Sequence, residues 1–336
     1  MKQPAPKTIR LEDYRPPSHR VETIELVFDL GEEATRVTST LTVIPNPEAE
    51  PTHEFVLDGE NLELLSLRLD GIPLGGGYTL GDGFLRIDQV PPNRFILEIV
   101  TLIHPVSNTA LEGLYLSSGL FCTQCEAQGF RKITYFPDRP DVMSVFTTTI
   151  MAPKSEYPVL LANGNQVATG DLLDGRHFAR WHDPFPKPCY LFALVAGQLD
   201  CLEDRYRTGS GREIRLQIFS EPSDIGKCGH ALESLKNAMR WDEEEYGREY
   251  DLDLYMIVAV SHFNMGAMEN KGLNLFNTKY VLASPDTATD SDYEHIEGVI
   301  GHEYFHNWTG NRVTLRDWFQ LSLKEGLTVF RDQEFS

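Results

Sequence analysis

A chain of 336 residues has room for two domains of ordinary size, and 41% hydrophobic with 10% aromatic residues is the composition of a folded globular protein. A formal charge of −20 excludes nucleic acid as a partner, because phosphate binding needs a basic surface. No run approaches the ~18 apolar residues that span a bilayer, so no membrane span is expected.

Residues 1–7 lead into polar sequence without the apolar core of a signal peptide. The five cysteines, an odd number, read as reduced thiols. A cytoplasmic protein follows from both. The acidity serves solubility and, gathered in a cleft, would attract cations such as the free amine of a peptide.

Residues from about 21 to 197 read as β. Val37, Leu41 and Val43 alternate with Arg36, Thr38, Thr40 and Thr42, the pattern of a half-buried strand. Further strands are expected at 24–30, 95–103, 145–151, 159–162 and 190–195. Turn signals separate them at Asp58-Gly59, Asp70-Gly71, Asp82-Gly83 and Asn163-Gly164. Frequent turns without a helical period predict an antiparallel sandwich or saddle. Cys122 and Cys125 form a lone C-x-x-C with no second pair at matching spacing, and are expected to be packing or loop residues.

After Gly197 the texture changes, which divides the chain into a β-rich domain, 1–197, and a mixed α+β domain, 198–336. Strands are expected at 213–220 and 254–260. Between them an amphipathic stretch starts near Ser223, with Ile225, Cys228, Leu232, Leu235 and Met239 at helical spacing. Residues 261–280 read as a loop and a strand. Within them, Gly266 and Gly272 allow close backbone approach, and a strand edge there could pair with an extended peptide. Glu269 could anchor one end of that peptide, or be a solvated turn residue.

The next stretch carries the chemistry. His302-Glu303-Tyr304-Phe305-His306 is an H-E-x-x-H motif. Four residues apart on a helix, the two imidazoles share a face and can hold one zinc ion, with Glu303 placed as general base toward water. A capping box at Ser291-x-x-Glu294 and an apolar stripe of Ile296, Val299, Ile300 and Phe305 support that helix. A metzincin third ligand is ruled out, since Thr309 and Arg312 stand where glycine and histidine would be needed. Glu325 lies on a second apolar-periodic segment that could fold back and complete a two-histidine, one-glutamate set. The chain stops at Ser336 within that segment without C-cap chemistry, so a longer parent is expected.

Three motifs together, Gly266-Ala267-Met268-Glu269-Asn270, His302-Glu303-Tyr304-Phe305-His306 and Glu325 eighteen intervening residues later, make the chain resemble the zinc-dependent aminopeptidase N family of the gluzincin type, closest to its bacterial cytoplasmic members. The resemblance covers both regions and implies a β-rich N-terminal domain followed by the first half of a thermolysin-like peptidase domain. It implies one zinc on His302, His306 and Glu325. Glu269 and Glu126 would bind a substrate's α-amine, with Gln124 beside them in the loop Thr123-Gln124-Cys125-Glu126. Gly266 and Ala267 would align the peptide, within the motif that Met268 and Asn270 complete, and Met265 would line the first side-chain pocket. The family's oxyanion-stabilising tyrosine has no counterpart in this chain, so weak or absent turnover by the chain alone is expected.

The expected substrates are peptides with a free N-terminus, acted on by a monomer. Two other readings compete. Relatives of the leukotriene-hydrolase type tend to carry glycine where this chain has Ala267. A peptide-binding chain that has lost catalysis could shed Glu303, which is present. His19, His53, His104, His177, His182, His230 and His295 lack ligand spacing and read as surface or packed residues, and His262 as structural.

Overall fold

The structure, a computed structural model, describes residues 8–336; the reading of residues 1–7 lies outside them. Among the described residues the strands form four sheets. The largest has eight strands and is built around His19–Asp29, Thr35–Pro45 and Phe95–Ile103, whose inward residues Val21, Ile24, Leu41, Val43, Leu97 and Ile99 are fully buried. Its pairings are antiparallel except one: His19–Asp29 runs parallel to Met143–Pro153. A four-stranded antiparallel sheet, in the order Val159–Ala162, Leu194–Gly197, Leu120–Gln124, Gly113–Ser117, adds the strand that later delivers Gln124 to the site. The expected β-rich first region is thus observed.

One local expectation fails here. Residues 190–195 are not one strand: Cys189–Leu191 is a 3-10 turn and the strand is Leu194–Gly197. The whole run is buried, and a continuous apolar run has no period to reveal its backbone. Asn163-Gly164 is more than a turn. The Asn163 amide donates to the Lys271 carbonyl at 2.8 Å, docking this corner on the loop that follows Glu269. Cys122 and Cys125 are both fully buried in the core.

From Asp200 a five-stranded mixed sheet begins, in the order Asp200–Arg207, Glu213–Ser220, Leu254–Val260, Leu273–Asn277, Ala267–Met268. Its central strand, Leu254–Val260, is buried along its whole length, as a strand covered on both faces must be. Leu254, Met256, Val258 and Val260 face the first region, whereas Tyr255, Ile257 and Ala259 face the helices. The sheet is therefore the shared wall between two cores.

Two helices cover its far side, α1 (Gly229–Tyr246) and α2 (Asp290–Phe305), and a third, α3 (Leu321–Phe335), packs on α2. α1 starts six residues later than Ser223, because Ile225–Lys227 forms a 3-10 turn first. The capping box of α2 is Thr289 with Asp292, not Ser291 with Glu294. Thr289 has the extended backbone an N-cap needs, and Ser291 is already inside the helix. α3 folds back on α2 as expected. Gly301 permits the close approach, since a Cβ there would lie 2.8 Å from the Phe335 ring. Arg331 of α3 locks the three together by donating to the Phe305 carbonyl at 3.0 Å and pairing with buried Asp242 of α1. No helix among the described residues is long and apolar enough to cross a membrane.

Candidate active site

α2 ends at Phe305 with His306 as its C-cap, yet the His306 amide still donates to the His302 carbonyl at 3.2 Å. The helical offset of the two imidazoles is thereby kept. Their Nε2 atoms lie 3.0 Å apart, and Glu325 Oε2, reaching across from α3, is 3.3 Å from the first and 3.4 Å from the second. Ligands bound tetrahedrally at about 2.1 Å stand about 3.4 Å from one another. The three atoms therefore fit a small divalent ion.

The other face of each imidazole is also held. His302 Nδ1 meets Asp332 Oδ2 at 2.6 Å, and His306 Nδ1 meets the Thr309 carbonyl at 2.9 Å and Thr328 Oγ1 at 3.1 Å. Such outer partners fix ring orientation and leave Nε2 for a metal. The charges agree. Burial disfavours a proton on His302, but Glu325, Glu303 and Asp332 overrule it and raise its pKa to about 9. Despite burial, the two histidines and Lys324 hold the Glu325 carboxyl far below the usual range. The pocket rewards positive charge between these side chains.

Glu303 is 7% exposed, and its Oε2 has no protein partner. Burial, with Glu269 adding to it, pushes its carboxyl up to about 8.

Beside this cluster opens a cleft of about 450 Å³ lined by Glu126, Ala127, Met265, Ala267, Glu269, His302, Glu303, His306, Trp318, Leu321 and Glu325. Ala267–Met268 is an edge strand, paired only to Leu273–Asn277 within its sheet. Glu126 follows the strand Leu120–Gln124, so the first region contributes to the cleft directly. Of the residues singled out in the sequence, Met265, Ala267, Glu126 and Glu269 come together on the cleft wall. Gln124, Met268 and Asn270 do not line it: they are buried, and Gln124 Nε2 contacts Met268 Sδ at 3.7 Å. Gly266 is exposed, and its carbonyl accepts from the Asn277 amide at 2.9 Å. His19 is buried against Phe55 and Phe95, and His262 is exposed.

Sequence reasoning missed Lys324, Thr328 and Asp332. Thr328 and Asp332 fall three and seven residues after Glu325, on the same face of α3, which was a legible signal. Lys324 had none beyond its adjacency. Its ammonium donates to Glu126 at 2.8 Å and to Glu269 at 2.5 Å. Burial raises the Glu126 carboxyl to about 7, with Glu269 adding to it against Lys324. Burial would also raise Glu269, but Lys324 holds it below the ordinary value.

A β body followed by a mixed sheet with helices is the domain order of a peptidase family. The chain belongs to peptidase family M1: the Peptidase M1 N-terminal domain matches residues 88–191 and the Peptidase family M1 domain matches residues 230–336. It is 58% identical over 324 residues to aminopeptidase N of Escherichia coli, covering 96% of this chain and 37% of that protein. Aminopeptidase N of Caulobacter vibrioides is 57% identical over 337 residues, 100% of this chain and 39% of the relative. The crystal structure of Legionella pneumophila aminopeptidase A in complex with aspartic acid superposes with a TM-score of 0.95 at 42% identity, covering 97% of this chain and 39% of that one. The chain thus spans well under half the length of these relatives.

Proposed function

We propose that the protein is a zinc aminopeptidase removing the N-terminal residue of oligopeptides, with His302, His306 and Glu325 holding one zinc. The observation that carries this reading is the convergence of Glu126 and Glu269 in one cleft beside the metal-fitting cluster. Zinc, when bound there, supplies a Lewis acid that polarises the peptide carbonyl and acidifies water. Glu303 takes the proton from water at its unpartnered Oε2 and delivers it to the leaving amine. Glu126 and Glu269 receive the substrate's ammonium through charge-assisted hydrogen bonds. A blocked amine would leave these carboxylates desolvated and unpaired, which restricts cleavage to the first peptide bond. The free edge of Ala267–Met268 offers the peptide backbone a strand to pair with, and Met265, 47% exposed, stands where the first side chain would lie.

The same reading divides the chain at 197/198, close to where the five-stranded sheet starts, and makes the protein a cytoplasmic monomer. The test is hydrolysis of an unblocked aminoacyl amide by zinc-loaded protein beside its N-acetylated twin. Whatever turnover the chain shows, weak at most, is expected on the free amine form alone and is abolished by a chelator and by Glu303→Ala. Equal cleavage of both forms would remove Glu126 and Glu269 from amine binding. Zinc binding that survives replacement of His302 and His306 would remove the metal assignment.

A further inference from the structure

Glu269 is held from two sides. On the cleft side stands Lys324, whose ammonium also lies 3.1 Å from Glu325 Oε1. Behind the cleft a separate set of side chains grips the main chain at Glu269 and the side chain of Lys271, and the chemistry above uses none of them. Asn311 Nδ2 donates to the Glu269 carbonyl at 2.9 Å. Lys271 Nζ donates to Asn307 Oδ1 at 2.6 Å and to Asp251 Oδ1 at 2.5 Å. Lys271, Asn307 and Asn311 are all buried.

Asn307 and Asn311 belong to the loop that wraps His306. The Asn311 amide donates to the His306 carbonyl at 2.9 Å, and the Thr309 carbonyl meets His306 Nδ1. A Cβ on Gly310 would lie 2.9 Å from that same nitrogen, so the loop lies directly against the ring. One short loop therefore holds a metal-fitting imidazole on one side and the amine anchor on the other. From the first region, Asn163 fixes the Lys271 carbonyl as well. A buried ion pair repays little beyond its own desolvation, so the pair of Lys271 and Asp251 contributes position more than stability.

An α-amino acyl group carries its ammonium two bonds from its carbonyl carbon, at about 1.46 and 1.52 Å. A site that takes the ammonium at Glu269 and the carbonyl at the metal must keep those two points at one spacing. We propose that Lys271 and Asn311 are positioning residues that fix this spacing, and so set a preference for an α-amine over an amine one methylene further from the carbonyl. This rests on the aminopeptidase reading. One inserted methylene moves the ammonium by about 1.5 Å, well beyond the ~0.5 Å range of a good hydrogen bond. With a tether cut, the anchor can follow the longer ligand, and the preference falls.

The experiment is calorimetric titration of the zinc-loaded chain with leucine amide, β-homoleucine amide and N-acetyl-leucine amide, for the unaltered protein, Lys271→Met and Asn311→Ala. The unaltered protein should bind leucine amide about ten- to a hundredfold more tightly than either analogue. In each variant the ratio of leucine amide to β-homoleucine amide should fall to about threefold or less, with zinc affinity unchanged. Lys271→Met leaves Asp251 paired with Arg312, so no buried charge is stranded. If it nevertheless fails to fold by circular dichroism, Asn311→Ala, which removes no charge, carries the same expectation. A ratio unchanged in a folded variant overturns the positioning role. Lost zinc, or equal weakening of leucine amide and β-homoleucine amide, marks a structural role and also overturns it. Equal binding of the α- and β-amines by the unaltered protein, with the acetylated twin still rejected, overturns this inference alone. Equal binding of leucine amide and its acetylated twin overturns the aminopeptidase reading and this inference with it.

Discussion

Asp332→Ala tests how the histidine cluster is held. Asp332 Oδ2 lies 2.6 Å from His302 Nδ1, a contact that fixes the imidazole with its Nε2 toward Glu325 and His306. Removing an outer partner of this kind lowers metal affinity about 10- to 100-fold, or about 1.4–2.7 kcal/mol. Both side chains are 20% exposed, so water can take part of the carboxylate's place, and the expected loss is near the lower end, about tenfold. Thr328→Val gives the contrast. His306 Nδ1 keeps its 2.9 Å contact to the Thr309 carbonyl when the hydroxyl goes, so the loss should stay within about threefold. Competition for zinc against a chromophoric chelator at neutral pH measures both constants. Unchanged affinity in Asp332→Ala, or a larger loss in Thr328→Val, would refute the argument that these contacts orient the ligands.

Two further outcomes concern the fold that carries the site. Gly164 has φ +92°, and a Cβ there would lie 2.2 Å from the His182 carbonyl oxygen, so Gly164→Ala should cost about 2–4 kcal/mol, read as a lowered melting temperature. An unchanged melt would contradict the close approach. His19 is 2% exposed between two phenylalanine rings, and burial lowers its pKa below the ordinary 6.5. As pH falls below 6.5 the unfolded chain binds the proton first, so the stability His19 contributes is complete above 6.5 and is lost as pH drops toward the folded value. Denaturant midpoints at about pH 7.5 and about pH 5.5 should therefore fall more in the unaltered protein than in His19→Gln. Equal falls would exclude His19 as the cause.

Much of the architecture was legible because it rests on short-range patterns. Strands at Phe95–Ile103, Val159–Ala162, Glu213–Ser220 and Leu254–Val260 fall where alternation and turn residues put them. The local signal failed where burial erased the period, as at Cys189–Leu191, or where two capping signatures overlapped, as at Thr289 and Ser291. At the site, His302, Glu303 and His306 could be read from spacing along one helix. Glu325 needed only the next helix to fold back. Lys324 could not be read in this way, because its role is defined by Glu126, and no local pattern reports a contact across 198 residues.

Glu325 belongs to two clusters at once, one through each oxygen. What draws on Oε2 alters what Oε1 can offer the ammonium beside it, and the reverse. On the proposed function, metal occupancy and amine occupancy would then share one coupling free energy, and each would change the affinity for the other by the same factor. Two separate titrations, one of metal with and without an amine ligand and one of the amine with and without metal, would return a single constant. On that reading, a chain emptied of its ion would hold the peptide's first residue with an affinity changed by that same factor.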